Sequence, residues 1–143
     1  MDKAELIHQE LEAVLTAAVA GIPIHRDRDL APNAENESMP QAVLWSGDEE
    51  LVIDQTATKP TWDRRWAVTP AIEIYLQDRQ NPANLRAQAN QIWGAFWQAL
   101  RASGIQKLLA PSVFPEVRKS IDPVPKRRDL LVLQIEFVFT FDR

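Results

Sequence analysis

One short run holds the residue types that could bind a metal ion. It reads His25-Arg26-Asp27-Arg28-Asp29, and in an extended chain His25, Asp27 and Asp29 would point the same way. An imidazole nitrogen and two carboxylates are ligands that many divalent metals accept. The competing interpretation is a strand end that enters a solvated loop, with the arginines neutralising the aspartates. Because this spacing is unspecific, we favour the loop and predict no metal ion and no cofactor.

A second candidate lies near the N-terminus, where Glu5, His8 and Glu12 are three and four residues apart. On a helix these side chains would be neighbours and could form an acid–base group. The same spacing is typical of the solvent-exposed side of an amphipathic helix, which is the interpretation we favour. The sequence contains no phosphate-binding glycine loop, no GxSxG turn, no HExxH pair and no cysteine. We therefore predict that the protein is not an enzyme and has no catalytic residues.

A basic cluster is better explained by contact with another molecule or with solvent. It is Lys126-Arg127-Arg128, with Arg118 and Lys119 close by in the sequence. Three interpretations stay open, which are a solvated strand start, an acidic patch on a neighbouring subunit and nucleic-acid phosphates. Solvent is the favoured one of the three. The net charge of −4 provides no overall basic field for nucleic acid, and no interleaved aromatic residues suggest base stacking.

The five tryptophans supply large apolar anchors. Trp66 and Trp93 fall on apolar stripes and are predicted to be core residues. Trp62 and Trp97 lie off those stripes and are predicted to lie at an interface, where tryptophan is over-represented. The other interface candidates are charged residues that could pair with opposite charges on a neighbour: Arg26, Arg28, Asp48, Glu49, Glu50, Lys126, Arg127 and Arg128.

The element that must position these residues is the C-terminal stretch, residues 129–143. Every second residue from Leu131 to Phe141 is apolar, which predicts a long strand with one face on a core. A strand this long needs a partner, and residues 64–76 alternate in the same way. Pro70 lies inside that partner and is predicted to form a bulge or bend that divides it.

Two segments have the three- and four-residue apolar spacing of amphipathic helices. The first is predicted over residues 2–20, with Gly21 as its C-terminal cap. The second is predicted to begin at Asn81-Pro82, with asparagine as N-cap and proline at the first helical position. It extends to about Ser103, and Gly104 is predicted to close it.

Shorter strands are predicted at residues 22–25, 41–45 and 50–57, with a short edge strand at residues 113–117. Residues 26–40 are predicted to form an extended polar loop, and Ser46-Gly47-Asp48 is predicted to be a turn. Four prolines, Pro111, Pro115, Pro123 and Pro125, punctuate the stretch that contains this edge strand.

The whole chain of 143 residues is predicted to be a single domain, 1–143. Its content of 45% apolar and 25% charged residues is that of a globular protein. No apolar run is long enough to predict a membrane helix, and no signal peptide precedes the first charges. Strands and helices do not alternate regularly, so we predict an α+β fold. It has a mainly antiparallel sheet of about four to six strands with two main helices packed on one face.

The order of these elements resembles the tail terminator (tail completion, minor tail protein U-like) proteins of long-tailed bacteriophages and prophages. The likeness covers nearly the whole chain. It lies in the helix DKAELIHQELEAVLTAA, the strands IPIHRD and PQAVLW, the long strand WAVTPAIEIYLQD followed directly by the helix NPANLRAQANQIWGAFWQAL, and the final strand LVLQIEFVFTFDR.

This resemblance implies a structural subunit that assembles into a hexameric ring, caps the tail tube and presents a face to the head connector. The implied partners are further copies of the chain, the tail tube protein and the head–tail connector protein, with no membrane. DNA would only pass through the ring lumen and would not be bound specifically. The subunit would assemble in the host cytoplasm and reside in the virion tail. Two alternatives stay open, which are another neck or head–tail connector component and a small non-catalytic cytosolic binding module.

Overall fold

The computed structural model describes residues 2–52 and 65–143. Within them the chain forms two α-helices and seven strands, in an order that confirms the α+β class. The elements are α1 (Lys3–Ala18), β1 (Ile24–Arg26), β2 (Gln41–Trp45), β3 (Glu49–Leu51), β4 (Arg65–Val68), β5 (Ala71–Gln77), α2 (Leu85–Ala102), β6 (Glu116–Val124) and β7 (Arg127–Asp142). The strands form one sheet that is antiparallel except for the parallel pair of β1 and β2.

Strand β7 organises the sheet, because it pairs along both of its edges. β5 and β4 follow one another along one edge of β7, and β6 lies along the other. Ala71 stands opposite Glu136 and Val68 opposite Phe139, so the register is the same on both sides of Pro70. Pro70 divides the strand, as predicted, because it has no N–H to donate. The extra residue of the predicted bulge is not on this strand, because its register with β7 continues unbroken.

The bulge lies instead on the neighbouring strand. Trp45 pairs with Ala71 and Glu49 pairs with Val68, so Ser46-Gly47-Asp48 stands opposite only two residues. The predicted turn is therefore wrong, because the chain passes through a bulge and continues along the same neighbour. Gly47 has a φ of 72°, and a Cβ added there would lie 1.9 Å from the Thr69 carbonyl oxygen. Only glycine allows this close approach of two backbones.

Both predicted helices are confirmed, although their ends differ. Gly21 has a φ of 84° after α1, which fits the predicted cap. Asn81 makes no side-chain cap; Pro82–Asn84 form a 3-10 turn, and the Asp78 carboxylate accepts the N–H of Asn81 at 2.8 Å. Gly104 has an ordinary φ of −81°, so its predicted capping role is wrong. The Ser103 hydroxyl instead donates to the Leu100 carbonyl at 2.7 Å.

The core lies between the two helices and one face of the sheet. Phe96 of α2 contacts Phe137 of β7 with 6.0 Å between ring centroids, and Phe137 stacks on Phe139 at 5.1 Å. Trp66 and Trp93 are half-buried and pack against the margin of this core. The other large, fully buried side chains come from α1, from β2 and from the alternating positions of β5 and β7: Ile7, Leu11, Leu15, Leu44, Ile72, Ile74, Leu133, Ile135 and Phe141.

Strand β6 is longer than the predicted edge strand and lies within the proline-punctuated stretch. Pro123 is inside it, and Pro125 and Lys126 form the turn to β7, with Lys126 at a φ of 64°. In an antiparallel ladder, the backbone groups of successive residues point to alternate edges of the strand. Phe137 of β7 donates its N–H to Pro70 on the β5 side, so Leu131, six residues earlier, also points away from β6. Pro123 stands opposite Leu131 and therefore has its nitrogen on the outer edge of β6. Proline is tolerated at that position because no partner strand needs its N–H.

Of the shorter strands, β2 has the predicted bounds, whereas β1 begins two residues later and ends one residue later than predicted. β3 ends at Leu51, and the rest of the strand predicted for residues 50–57 lies from residue 53 outside the described part of the chain. Residues 27–40 contain only turns and bends, as the predicted loop requires. No helix in the described ranges is long and apolar enough to cross a membrane.

Candidate functional site

The run from His25 to Asp29 links elements to one another. Asp27, at a φ of 51°, accepts the backbone N–H of Ser46 at 2.7 Å and also the Ser46 hydroxyl. Arg26 holds Glu5 of α1 through two hydrogen bonds of 2.7 and 2.8 Å. In residues 2–52 and 65–143 no group of three potential metal ligands converges. The contacts of Arg26 and Asp27 therefore tie α1, β1 and the bulge together.

His8 reinforces the same junction. Its side chain is only 4% exposed, and Nε2 lies 2.9 Å from the Ser46 carbonyl oxygen, to which it donates. The prediction that Glu5, His8 and Glu12 form a solvent-exposed side is wrong for His8. The bulge places a carbonyl beneath α1, and a buried carbonyl needs a donor. The hydrogen bonds from Arg26 lower the pKa of Glu5, which keeps this carboxylate charged.

The loop after β1 is held against the sheet by Arg28. Its guanidinium lies 2.5 Å from a Glu37 carboxylate oxygen and donates to the side chain of Gln41 at 2.9 Å. Gln41 is itself only 4% exposed. Arg26 and Arg28, both predicted to contact a neighbour, thus have their guanidinium groups engaged within the chain.

A groove of about 410 Å³ lies between this loop and the end of the β6–β7 hairpin. Its walls include Met39, Tyr75, Leu130 and Val132. The Tyr75 hydroxyl donates to Glu73 at 3.2 Å, and the Trp45 indole donates to the same carboxylate. Burial, followed by the charge of Glu73, raises the pKa of Tyr75 well above its usual range. Tyr75 therefore stays protonated, which suits a structural hydrogen bond.

The β6–β7 hairpin carries exposed cations on β6, in its turn and at the start of β7. We define the basic rim as Arg118, Lys119, Lys126 and Arg128, which are all exposed. None of them forms an ion pair within the described residues. Arg127 is different, because it pairs with Asp129 at 3.1 Å. That contact holds the pKa of Asp129 far below its usual range. Two predicted interface residues, Lys126 and Arg128, therefore remain available to another molecule.

Two exposed aromatic side chains flank the basic rim. Trp97 is 38% exposed and contacts Trp93 with ring centroids 5.5 Å apart. The Lys119 ammonium lies 5.5 Å from the centre of the Trp93 ring, so this end of α2 reaches β6. Phe114, two residues before β6, is 92% exposed. An exposed apolar side chain of this size next to an open strand edge is typical of a contact surface.

The acidic candidates lie at the opposite corner of the sheet. We define the acidic rim as Asp48, Glu49 and Glu50, which are all exposed. Arg143 neutralises Glu49 at 3.0 Å and also holds Asp2 at 2.8 Å. Asp48 and Glu50 form no ion pair within the described residues. Trp62 lies outside the described part of the chain, so its predicted interface position stays a prediction.

The spacing of the two rims follows from the topology. β3 pairs with β4, β4 with the C-terminal end of β7, and β6 with the rest of β7 on its other edge. The 16 residues of β7 span about 50 Å, and the Pro125-Lys126 turn lies at the end far from β3. The sequence predicted both charged segments as contact sites, and the structure separates them to opposite edges. The exposed Phe114 is a feature that the sequence analysis missed, since no periodicity marks it.

Comparisons with known proteins give matches among solved structures only. No protein-family model and no curated protein matches the sequence. Among solved structures, the fold matches a chain from the virion of a native gene transfer agent (GTA) particle. The TM-score is 0.53 and the sequence identity is 17%, over 96% of this chain and 92% of that chain. At this identity the likeness shows a shared fold over nearly the whole length.

Proposed function

We propose that this protein is a structural subunit of a phage-like virion. In finer terms, we propose a tail terminator-like protein that closes into a hexameric ring, caps the tail tube and joins it to the head connector. The fold shared with a chain of a GTA virion over 96% of this chain is the observation that carries the proposal. The subunit would assemble in the host cytoplasm and remain in the virion tail.

Rings require each subunit to offer two different surfaces that fit each other. The basic rim and the acidic rim meet this requirement, because they carry opposite charge and lie on opposite edges of one sheet. A chain with both surfaces binds a copy at each side, and the series ends when the rotation closes. The overall charge of −4 suits a ring through which DNA passes without being gripped.

A non-catalytic role fits the way in which three polar side chains are used. His8 donates to the Ser46 carbonyl, and Asp27 accepts two hydrogen bonds from Ser46. Glu73 accepts from Trp45 and Tyr75. Each of these groups holds elements of the fold together. We propose that the surface, and especially the sheet edges, performs the function.

Native mass spectrometry tests the proposal directly. The subunit has a mass of 16.3 kDa, so a hexamer would appear at about 98 kDa. The measurement is made on the protein alone and with tail tube protein, because a partner can be needed to close the ring. We expect the ring in at least the second sample. A monomer in both samples would contradict the proposal, and capture of a connector protein without the tube protein would favour a different neck component.

A further inference from the structure

We propose that the ring contact joins the β6 edge of one subunit to the acidic rim of the next. This inference rests on the proposed function and names the surfaces that it uses. The occupant of the β6 edge is thus a second copy of this chain, which presents Asp48, Glu49 and Glu50. The contact is heterologous, since different surfaces of the two copies meet.

The first support for this contact is the opposite charge of the two surfaces. The four cations of the basic rim are exposed and have no carboxylate partner among the described residues. Glu116 and Asp122 are also exposed on β6, so the edge keeps an excess of two positive charges. The chain as a whole has a net charge of −4 and offers nucleic acid no overall basic field, so a short acidic segment is the better match for this edge. Asp48 and Glu50 form such a segment on this same chain.

The backbone of β6 supplies a second attraction. In β7, the N–H of Phe137 points to the β5 side. The carbonyl of Thr140 points to the β6 side, where this carbonyl accepts the N–H of Ala110 at 2.8 Å. By this alternation, β6 directs the backbone groups of Val117, Lys119 and Ile121 outward. No described residue pairs with them. An extended segment from a neighbour would satisfy these groups by adding a strand.

The aromatic side chains beside the edge supply apolar area. Phe114 lies two residues before β6, and Trp97 contacts Trp93, whose ring lies beneath Lys119 of β6; both Phe114 and Trp97 are exposed in the subunit. On the other side of the proposed contact, Val52 follows the acidic rim and is 40% exposed. Apolar anchors surrounded by charged residues are the usual anatomy of a protein–protein interface. The charges would set the register, and the aromatic side chains would contribute the desolvated centre.

Charge reversal tests the assignment. One variant combines Arg118→Glu with Lys119→Glu on β6, and the other combines Asp48→Lys with Glu50→Lys. We expect each variant alone to raise the concentration for half-assembly by at least about tenfold. A control with the same change in charge as the first variant, Arg86→Glu with Lys107→Glu, should assemble like the wild type. Light scattering and native mass spectrometry provide the readout at low salt, with tail tube protein present where the wild type requires it.

An equal mixture of the two reversed variants is the decisive sample. Each variant then finds its complement only in the other, so an even-numbered ring of alternating subunits should form. Recovery in the mixture also shows that both variants are folded. Two results would overturn the edge assignment while the wild type still forms rings: each reversed variant alone assembles as well as the wild type, or the mixture fails to recover. Either result would leave the proposed function standing. A wild type that never forms a ring would remove the proposed function as well.

Discussion

The two faces of the sheet differ in what they contribute. On the helix-covered face, alternate residues of β7 such as Phe137 and Phe139 are fully buried against α1 and α2. On the other face, the intervening residues such as Gln134 and Val138 are only partly buried, and Glu73 binds Trp45 and Tyr75 by hydrogen bonds. Apolar burial therefore stabilises the fold mainly from one side. The other side and the edges hold polar and charged side chains, and we place the proposed contacts at the edges.

The largest expected effect comes from removing an aromatic ring on the helix-covered face. Phe137→Ala should lower the free energy of unfolding by about 3–5 kcal/mol, because the cavity cannot collapse between Phe96 and Phe139. Val138→Ala, one residue later on the opposite face, should cost about 1 kcal/mol or less. Urea unfolding measures both values. Equal losses for the two variants would break the contrast between the faces.

The second effect tests the bulge at Ser46-Gly47-Asp48, between β2 and β3. Gly47→Ala should destabilise the protein by about 2 kcal/mol or more, because its Cβ would collide with the Thr69 carbonyl and its φ is positive. Gly94→Ala is the matched control on α2, where a Cβ would meet no atom within 4 Å. That variant should gain up to about 1 kcal/mol, since alanine favours a helix. Thermal unfolding distinguishes them, and a neutral Gly47→Ala would contradict the bulge geometry.

The third effect concerns the hydrogen bonds that Trp45 and Tyr75 donate to Glu73, on the face of the sheet away from the helices. Glu73→Leu should lower the free energy of unfolding by about 1–3 kcal/mol, because it leaves the donors of Trp45 and Tyr75 without their acceptor. Glu73→Gln keeps an acceptor oxygen and should cost less. Denaturant titration gives both numbers. A leucine variant as stable as the wild type would show that the cluster contributes nothing to this face.

The smallest effect depends on pH. Hydrogen bonds from Arg26 lower the pKa of Glu5, and those from Arg127 lower the pKa of Asp129. A lowered pKa in the folded state stabilises the protein above the ordinary values of 4.5 and 3.8 and loses that stability as the pH falls below them. The melting temperature should therefore begin to drop as the pH falls below about 5, and the drop should continue below pH 3 because the pKa of Asp129 is lowered so far. Glu5→Gln should flatten this drop slightly, and an unchanged pH profile would contradict the role of the pair.

The sequence predicted the β7 face and its partner strand because a period of two leaves a strong signal over many residues. It did not locate the bulge. A Ser-Gly-Asp triplet is compatible with either a turn or a bulge, and the choice depends on the register of the strand beside it. β6 was hidden by Pro123, whose nitrogen lies on the outer edge, a fact that only the pairing reveals.

The candidate site was only partly predictable, for a similar reason. The charged segments are visible as residue types, but their partners are set by the fold. Arg26 binds Glu5 from 21 positions away, and Arg143 binds Glu49 from 94 positions away. The burial of His8 depends on a carbonyl that the bulge supplies. The separation of the basic and acidic rims likewise follows from strand order, which residue spacing does not encode.

Electron microscopy of negatively stained wild-type protein, mixed with tail tube protein, tests the central claim most directly. Our account predicts discs with a central hole, both free and at the ends of tubes, and tubes that stop growing when a disc is bound. Isolated monomers, together with tubes that keep bare ends and continue to lengthen, would contradict it.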